Sequence, residues 1–322
     1  MMRSPTQVAI AVRKPDGEIV VNKRRVVTFA TRHKWARWPL LRGIFGLFEA
    51  FSLGISALNY SAEIAASAEA EQQGGDGDDE GEVARRQAAG GTQDSGETRA
   101  TQVRQRRAIP GWLMAINMVV SLSIFLALFL VLPTYAAGHI VPHAKKAWML
   151  ANAVEGGIRL LLVVGYMGAI SLWEPIRRVF HYHGAEHQVI NTYEAGDPVT
   201  VEAAATHEPL HARCGTTFLV IVILLKIVAG IFVGWPSLAV RAVLRLALLF
   251  PVASVAYEIT KLAAKYPDNP LVRATIAPGM WIQRLTARRA TPDMLAVSVR
   301  AFEAVQMESA QPQASPSGVA AS

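Results

Sequence analysis

Four long apolar segments between residues 112 and 257 constrain this fold more than any other feature of the sequence. Each is long enough to cross a hydrocarbon layer of about 30 Å as an α-helix, which satisfies its own backbone polar groups in lipid. Short connections join the first segment to the second and the third to the fourth, which indicates two helical hairpins. The sequence therefore predicts a mainly α-helical, polytopic membrane protein with four transmembrane helices, at 112–132, 150–173, 216–235 and 238–257.

The composition and the placement of charge agree with a membrane protein. Hydrophobic residues make up 52% of the chain and charged residues only 18%, which is too apolar for an ordinary soluble domain. The net charge of +7 does not indicate a nucleic-acid partner, because Lys and Arg flank the apolar segments instead of forming a stripe with interleaved aromatic residues. We expect membrane lipids as partners, and no nucleic acid.

The basic residues also predict which ends of the helices face the cytoplasm. Arginines precede the first apolar segment at 104–107 and follow the second at 177–178, and a basic run follows the fourth from Lys261 onward. Lys145 and Lys146 indicate the opposite orientation but are outnumbered. The positive-inside rule then predicts a multi-pass protein of the cytoplasmic (inner) membrane, with both termini and the loop 174–215 in the cytoplasm.

The N-terminal third contains three segments of different character. An N-terminal cytoplasmic segment, 1–39, contains a small β-hairpin, because two alternating runs flank the turn signal Pro15-Asp16-Gly17. The segment 40–62 mixes apolar residues with Arg42 and Glu49, which favours an interfacial or half-inserted helix and leaves a full span open. A Gly- and Asp-rich stretch, 63–108, is typical of a disordered linker.

The remaining chain comprises the four-span domain, a helical segment and a tail. The four-span domain covers 109–258 and carries the loop 174–215. We expect cytoplasmic amphipathic helices in 259–308, one at 271–285 interrupted by Pro278-Gly279 and one that begins near Pro292 and ends near Met307. A disordered tail follows at 309–322.

Several charged residues lie inside the predicted spans. Glu155 and Arg159 are four residues apart, so one helical face can hold both as an ion pair inside a bundle. Lys226 lies in the third span. Arg241 and Arg245 are close to a helix end, and we interpret them as side chains that reach back to the membrane surface.

Two clusters of histidine, glutamate and cysteine lie at the edges of the loop 174–215. His183 and His187 are four residues apart, so on a helix both imidazoles face the same way, as two ligands of one metal ion do. Glu186 completes an H-x-x-E-H pattern and is suited to activate a metal-bound water as general base. His211 and Cys214 precede the third span, and two antiparallel spans would bring them to the first cluster.

These residues predict a divalent transition-metal site but leave its type open. His183, His187, His211 and Cys214 together would close a structural site, whereas three of them would leave a position for water, as in catalytic zinc sites. A thiolate ligand favours zinc, or iron, over magnesium. Because the chain has a single cysteine, an internal disulfide is excluded.

Other polar residues of the loop are candidates for substrate binding. Arg213 is placed to hold an anionic substrate group or the head group of an anionic lipid. Glu194 is a candidate for substrate binding and a reserve metal ligand. We interpret His181 and His207 as polar or supporting residues instead of ligands.

At these residues the chain resembles the YqhQ family of bacterial membrane proteins, which are labelled predicted metal-dependent enzymes. The resemblance implies a membrane location and a metal site at His183, Glu186, His187, His211 and Cys214. The chain departs from the family pattern at two positions. Ala212 stands where proline is usual, and family members usually carry a Gly-rich segment ahead of the position of Met1. The resembling stretches are 1–5, 9–17, 41–43, 57–62, 182–187, 191–196, 211–216, 257–258, 269–272 and 277–286.

The sequence leaves three functions open. The leading hypothesis is a metal-dependent hydrolase at the membrane face, with Glu186 as general base and a lipid-like or membrane-proximal substrate. A second is a non-enzymatic protein with a structural or regulatory metal site. A third is a transporter whose path is lined by Glu155, Arg159 and Lys226, although inverted repeats typical of transporters are not evident.

Overall fold

The computed structural model describes residues 1–4, 6–26, 38, 41–75 and 111–306. The predicted tail at 309–322 and most of the predicted linker at 63–108 lie outside these residues. The described strands are β1 (Met2–Arg3), β2 (Gln7–Arg13) and β3 (Ile19–Arg25). The described helices are α1 (Leu41–Gly75), α2 (Gly111–Leu126), α3 (Leu132–Ile140), α4 (Trp148–Ile170), α5 (Glu174–Ala195), α6 (Val201–Thr206), α7 (Gly215–Ile231), α8 (Leu238–Lys265), α9 (Pro270–Thr286) and α10 (Pro292–Gln306).

The N-terminal strands form an antiparallel sheet in the order β1-β2-β3. The predicted hairpin is confirmed: β2 pairs with β3 so that Gln7 lies opposite Arg25 and Arg13 opposite Ile19. At the turn, the Gly17 amide donates to the Lys14 carbonyl at 3.0 Å, and Gly17 has a φ of +91°, which only glycine adopts without strain. The strand β1 was not predicted, and it pairs with β2 at the start of the chain.

The sheet packs against α10, and α5 packs against α10 to complete the same hydrophobic core. Ala185 and Val189 of α5 are fully buried there, together with Leu295 and Phe302 of α10 and Met2 of β1. Because Ala185 and Val189 are four residues apart, they occupy one face of α5. The face that carries His183 and His187 therefore points away from this core.

The apolar region confirms a helical domain in which three helices are long and apolar enough to cross a membrane. These are Ile116–Ile140, Trp148–Ile170 and Val240–Lys265. The first is longer than predicted, because α2 continues through a π-helical turn, Ala127–Val131, into α3. The third predicted segment, 216–235, forms the shorter apolar helix α7. Large apolar side chains such as Leu122, Leu161 and Leu246 point outward from these helices, as lipid-facing side chains do.

Helix α1 extends well beyond its predicted end. The predicted helix covered 40–62, whereas α1 continues to Gly75, through the first part of the predicted linker. The extra turns are rich in Ala, Glu and Gln, which have high intrinsic helix propensity. Near its start, Arg42 forms an ion pair with Glu258 of α8, its Nε donating at 2.6 Å. The depth of α1 in a membrane stays a prediction.

Two expectations for the C-terminal half differ from the structure. Helix α9 does not break at Pro278 but runs through it. It packs on α7 there: a Cβ atom built on Gly279 would lie 2.8 Å from the Thr217 Cα atom, and this close packing keeps the helix in place despite the missing backbone hydrogen bond. The interpretation of Arg241 and Arg245 as surface-seeking side chains is wrong, since both point toward the carboxylate of Glu155, which is 1% exposed.

Candidate metal centre

Helix α5 holds the first two candidate ligands. It begins at Glu174 with a proline in its first turn and ends at Ala195, and the left-handed conformation of the following Gly196 (φ +81°) closes the last turn. His183 and His187 lie on successive turns, with ring centroids 4.4 Å apart. The helical spacing that the sequence predicted is therefore confirmed.

Cys214 completes a compact group with these two histidines. It is the residue immediately before α7, and the Thr216 amide donates to its sulfur at 3.4 Å. The Cys214 Sγ and His183 Nε2 atoms are 3.2 Å apart. One potential ligand atom from each of His183, His187 and Cys214 lies within 4.8 Å of the others, a spacing at which all three could contact one metal ion.

Backbone carbonyls fix the orientation of both imidazole rings. His183 Nδ1 is 2.8 Å from the Thr286 carbonyl oxygen, and His187 Nδ1 is 2.7 Å from that of Pro209. A carbonyl oxygen only accepts, so each Nδ1 carries a hydrogen and each Nε2 is left as the ligand atom in the neutral ring. Carbonyl partners of this kind orient metal-binding histidines in known sites.

The electrostatics of the group favour an ionised thiol. Burial raises the pKa of the Cys214 thiol, but hydrogen bonds and positive charge from His183 and His187 outweigh burial and lower this pKa to about 5. Burial likewise lowers the pKa of His183, but the Cys214 hydrogen bond and charge, with the Thr286 carbonyl, raise it to about 9. At neutral pH the pair is therefore thiolate and imidazolium, and the thiolate is the form that binds metals.

His211 lies beside this group but is engaged elsewhere. Its ring centroid is 5.8 Å from that of His187. Its Nδ1 accepts from the Arg213 amide at 3.3 Å, and its Nε2 is 3.2 Å from a Glu194 carboxylate oxygen. Burial, and then the charge of His187, lower the pKa of His211 to about 4, so the ring is neutral. Among the described residues the four predicted ligands are thus not all assembled, and His211 as a ligand stays a prediction.

The other predicted site residues line one open pocket next to the group. This pocket has a volume of about 720 Å³ and is bounded by Glu186, His187, Glu194, His211 and Arg213 and by apolar side chains of α10. Arg213 and Glu194 form an ion pair with each other. The Glu186 carboxylate faces the pocket and contacts the Met1 amine. The structure therefore brings the predicted base and the predicted substrate residues to one surface.

The two remaining loop histidines are not part of the cluster. His181 Nδ1 contacts the Arg289 carbonyl oxygen at 2.6 Å, and His207 Nε2 contacts the Asp197 carboxylate at 2.9 Å. Both contacts tie the loop to its surroundings. This placement agrees with the interpretation of His181 and His207 as supporting residues.

Sequence reasoning missed two residues that position the chain around the candidate ligands. The fully buried Gln283 of α9 accepts from the His211 amide at 2.7 Å and donates to the His211 carbonyl at 3.1 Å. Gly184 lets the 286–290 segment approach α5, since a Cβ atom there would lie 1.8 Å from the Arg288 carbonyl oxygen. Backbone carbonyls leave no mark in a sequence, but Gln283 lies inside a stretch that resembles the YqhQ family, and this was a usable signal.

Comparison with known proteins places the chain in a family. The chain is 28% identical over 305 residues to "Uncharacterized protein YqhQ" from Bacillus subtilis (strain 168), a match that covers 94% of this chain and 88% of that protein. No solved structure matches the chain. Residues 38–308 match the family model described as "Protein of unknown function (DUF1385)". The resemblance inferred from the motifs is thus confirmed, and the chain belongs to the DUF1385 family, together with YqhQ-like proteins.

Proposed function

We propose that this protein is a metal-dependent hydrolase of the cytoplasmic membrane, with His183, His187 and Cys214 as metal ligands and Glu186 as general base. One observation carries the proposal: three ligand atoms converge within 4.8 Å beside an open pocket that Glu186 lines. Three protein ligands leave a coordination position vacant, which is typical of catalytic sites, whereas structural sites are closed by four.

The ligand set indicates which ion the site would hold. Two imidazole nitrogens and one thiolate suit zinc or iron, whereas magnesium and calcium prefer oxygen ligands. Such an ion supplies Lewis acidity and makes a water molecule a stronger nucleophile near neutral pH. Cys214 is only 6% exposed and does not border the pocket, so its position suits a ligand better than an attacking thiol.

The residues around the pocket account for the other roles of a hydrolase. Glu186 lines the pocket, where it contacts the Met1 amine, and its carboxylate would accept the proton of the attacking water. Arg213 supplies a positive charge that would anchor an anionic part of a substrate, with Glu194 orienting it through their ion pair. The apolar side chains Phe302 and Val305 also line the pocket, which suits a substrate with an apolar part.

The helix arrangement supports four crossings, with the site on the cytoplasmic side. One end of α7 carries Cys214, and near its other end Gly234 accepts from Asn152 of α4 at 3.0 Å. Helix α7 therefore traverses the bundle alongside α4, although its 17 residues give a length of only about 25 Å. The end with the site is flanked by Arg177, Arg178 and Lys265, which favours the cytoplasmic face.

The position of the pocket indicates the class of substrate. The pocket lies between the N-terminal strands, α5 and α10, and α5 follows directly from the membrane helix α4. Substrates already held at the membrane surface would reach it without leaving the bilayer. We expect a lipid head group, a lipid-linked metabolite or a membrane-proximal peptide, and no nucleic acid.

A second candidate function is a structural or regulatory metal site. It is favoured by the position of His211, whose ring lies 5.8 Å from that of His187. If His211 exchanged its Glu194 contact for the ion, four ligands would close the site and no position would remain for water. The third candidate, a transporter, would depend on the intramembrane charges of Glu155, Arg159 and Lys226.

The proposal is tested by comparing Glu186→Gln with wild type and with the control Glu303→Gln, which alters an exposed carboxylate of α10. Zinc-loaded proteins would be assayed with phosphodiesters, acyl esters and peptides presented on phosphatidylglycerol and phosphatidylcholine vesicles. We expect Glu186→Gln to keep its metal but lose activity by about 100-fold or more, as for removal of a general base. Equal activity in Glu186→Gln would contradict its role as base. The structural site would be favoured by two results together: metal-loaded wild type hydrolyses none of these substrates, and His211→Ala loses the metal.

A further inference from the structure

A second polar cluster lies inside the helical bundle, far from the histidines. Its centre is the carboxylate of Glu155, which is 1% exposed. Glu155 forms ion pairs with Arg159 at 2.9 Å and with Arg245, and the Thr134 hydroxyl donates to it at 2.7 Å. These contacts engage both carboxylate oxygens of Glu155 and about three of its roughly four acceptor positions before a third arginine is counted.

Arg241 is that third arginine, and it is incompletely satisfied. Its side chain is 7% exposed, and its Nη1 atom is 3.8 Å from Glu155, beyond hydrogen-bond distance. Its buried Nε and Nη1 atoms make no hydrogen bond within the described residues. The guanidinium instead lies 3.8 Å from the centre of the Trp235 ring. Unsatisfied buried donors on a charged group are costly, which points to a missing acceptor.

The space around Arg241 is suited to such an acceptor. A cavity of about 50 Å³ is lined by Glu155, Arg159, Lys226, Arg241 and Arg245. Its volume exceeds several-fold the ~10–15 Å³ that one water molecule needs. Among the described residues that line it, four basic side chains face one carboxylate. An excess of positive charge within membrane helices is expensive unless an anion neutralises it.

We propose that this cavity binds an oxyanion of the phosphate type, either free inorganic phosphate or the phosphate of an anionic lipid. Guanidinium N–H groups donate strongly to phosphate oxygens, and the Arg241 Nε and Nη1 atoms, on different edges of the guanidinium, are each available as donors. A second cavity of about 300 Å³, bounded by Tyr135, His139 and Trp235, shares Arg241 with the first, and we infer that ligands enter by this route. This route suits a lipid head group as well as a free ion.

The anion site is separate from the metal centre. Cys214 lies at the beginning of α7 and Lys226 near its end, about 18 Å apart along the helix axis. Glu155 and Arg245 each lie seven residues into their helices, about 10 Å from the bundle end opposite the metal centre. No residue is shared, so the anion site stands or falls independently of the proposed hydrolase.

The test uses the full chain, purified in detergent, as wild type, Arg241→Gln and Arg241→Lys, with Arg300→Gln as a control on an exposed arginine of α10. Melting curves would be recorded in chloride and in phosphate at matched ionic strength. In parallel, native mass spectrometry would measure retention of added phosphatidylglycerol against phosphatidylcholine. The melting curves in phosphate detect binding of the free ion, and the mass spectra with added lipid detect binding of the lipid phosphate.

We expect either phosphate or phosphatidylglycerol to bind saturably and to raise the melting temperature of wild type and Arg300→Gln. Arg241→Gln should weaken that binding by about tenfold or more, as for loss of charge-assisted hydrogen bonds. If Arg241→Gln does not fold, Arg241→Lys keeps the charge without the paired donors and should still bind more weakly than wild type. Three results would overturn the proposal. Chloride could raise the melting temperature as much as phosphate does, the variants could bind the anion as tightly as wild type, or Arg241→Gln could melt at a higher temperature than wild type in every buffer.

Discussion

The Nε2 atom of His183 lies 3.2 Å from the Sγ atom of Cys214, although 31 residues separate them in sequence. His183 lies on α5, and Cys214 is the residue immediately before α7, so the contact joins the helix that follows one apolar segment to the start of the next. The intervening chain folds back through α6 and a turn in which the Pro209 carbonyl meets His187. The metal-binding hypothesis depends on this contact between His183 and Cys214.

The first prediction concerns the pH dependence of metal affinity. Cys214, with a pKa of about 5, is already ionised at neutral pH, whereas His183, with a pKa of about 9, must lose a proton to bind a metal. At least the proton of His183 is therefore released on binding, and zinc affinity should rise by about tenfold or more per pH unit between those two values and level off above about pH 9. Competition with a chromophoric chelator measures this slope, and a flat profile between about pH 6 and 8 would contradict it.

The second prediction concerns close packing at Gly184. A Cβ atom at this position would lie 1.8 Å from the Arg288 carbonyl oxygen. Gly184→Ala should displace the 286–290 segment, including the Thr286 carbonyl that holds His183, and destabilise the fold by about 1–3 kcal/mol. Gly165→Ala is the control, because a Cβ there meets no atom within 4 Å. The melting temperature and the zinc affinity should both fall in Gly184→Ala. Equal melting temperatures of Gly184→Ala and Gly165→Ala would refute close packing at Gly184.

The third prediction concerns Gln283. Its side chain is fully buried and bonds the His211 amide, the His211 carbonyl and the Thr217 hydroxyl. Gln283→Ala leaves these groups without partners, and the free energy of unfolding should fall by about 1–3 kcal/mol for each group that water does not reach. We expect a lower melting temperature and weaker zinc binding, whereas Arg284→Ala, at the exposed neighbouring position, should change little. Unaltered melting of Gln283→Ala would show that this residue does not hold the loop.

The fourth prediction concerns the docking of α1 on α8. Arg42 and Glu258 form a partly buried ion pair, and Gly43 packs on Tyr257, whose Cβ atom would lie 2.8 Å from a Cβ at position 43. Arg42→Glu alone should lower the melting temperature, because two carboxylates would meet. The double variant Arg42→Glu with Glu258→Arg should recover up to about 1 kcal/mol of the loss. Failure of the double variant to recover any stability would indicate that the pair does not fix α1.

Much of this architecture follows from local patterns in the sequence. The hairpin around Gly17 depends on turn chemistry, the spacing of His183 and His187 depends on helical periodicity, and the long apolar helices depend on runs of residues. Each of these signals lies within a short stretch of chain. The structure accordingly confirms them, with shifts at the helix ends such as the extension of α1 to Gly75.

Long-range contacts could not be predicted in the same way. Arg241 and Arg245 were expected at the membrane surface because they lie near a helix end, but the buried Glu155 of α4 draws them inward. His211 was predicted as a fourth ligand and stays a prediction, but its contacts with Glu194 and with the Arg213 amide were not predicted. Both outcomes depend on partners distant in sequence, and no local pattern identifies such partners.

The most direct test is the metal content of the detergent-purified protein, with wild type beside His183→Ala, His187→Ala and Cys214→Ala. His181→Ala is the control, since His181 contacts a backbone carbonyl outside the group. We expect about one equivalent of zinc or iron in wild type and in the control, and loss of the metal in the three ligand variants. Wild-type protein that holds no metal, even after reconstitution with zinc and with iron, would show that His183, His187 and Cys214 do not form a metal site.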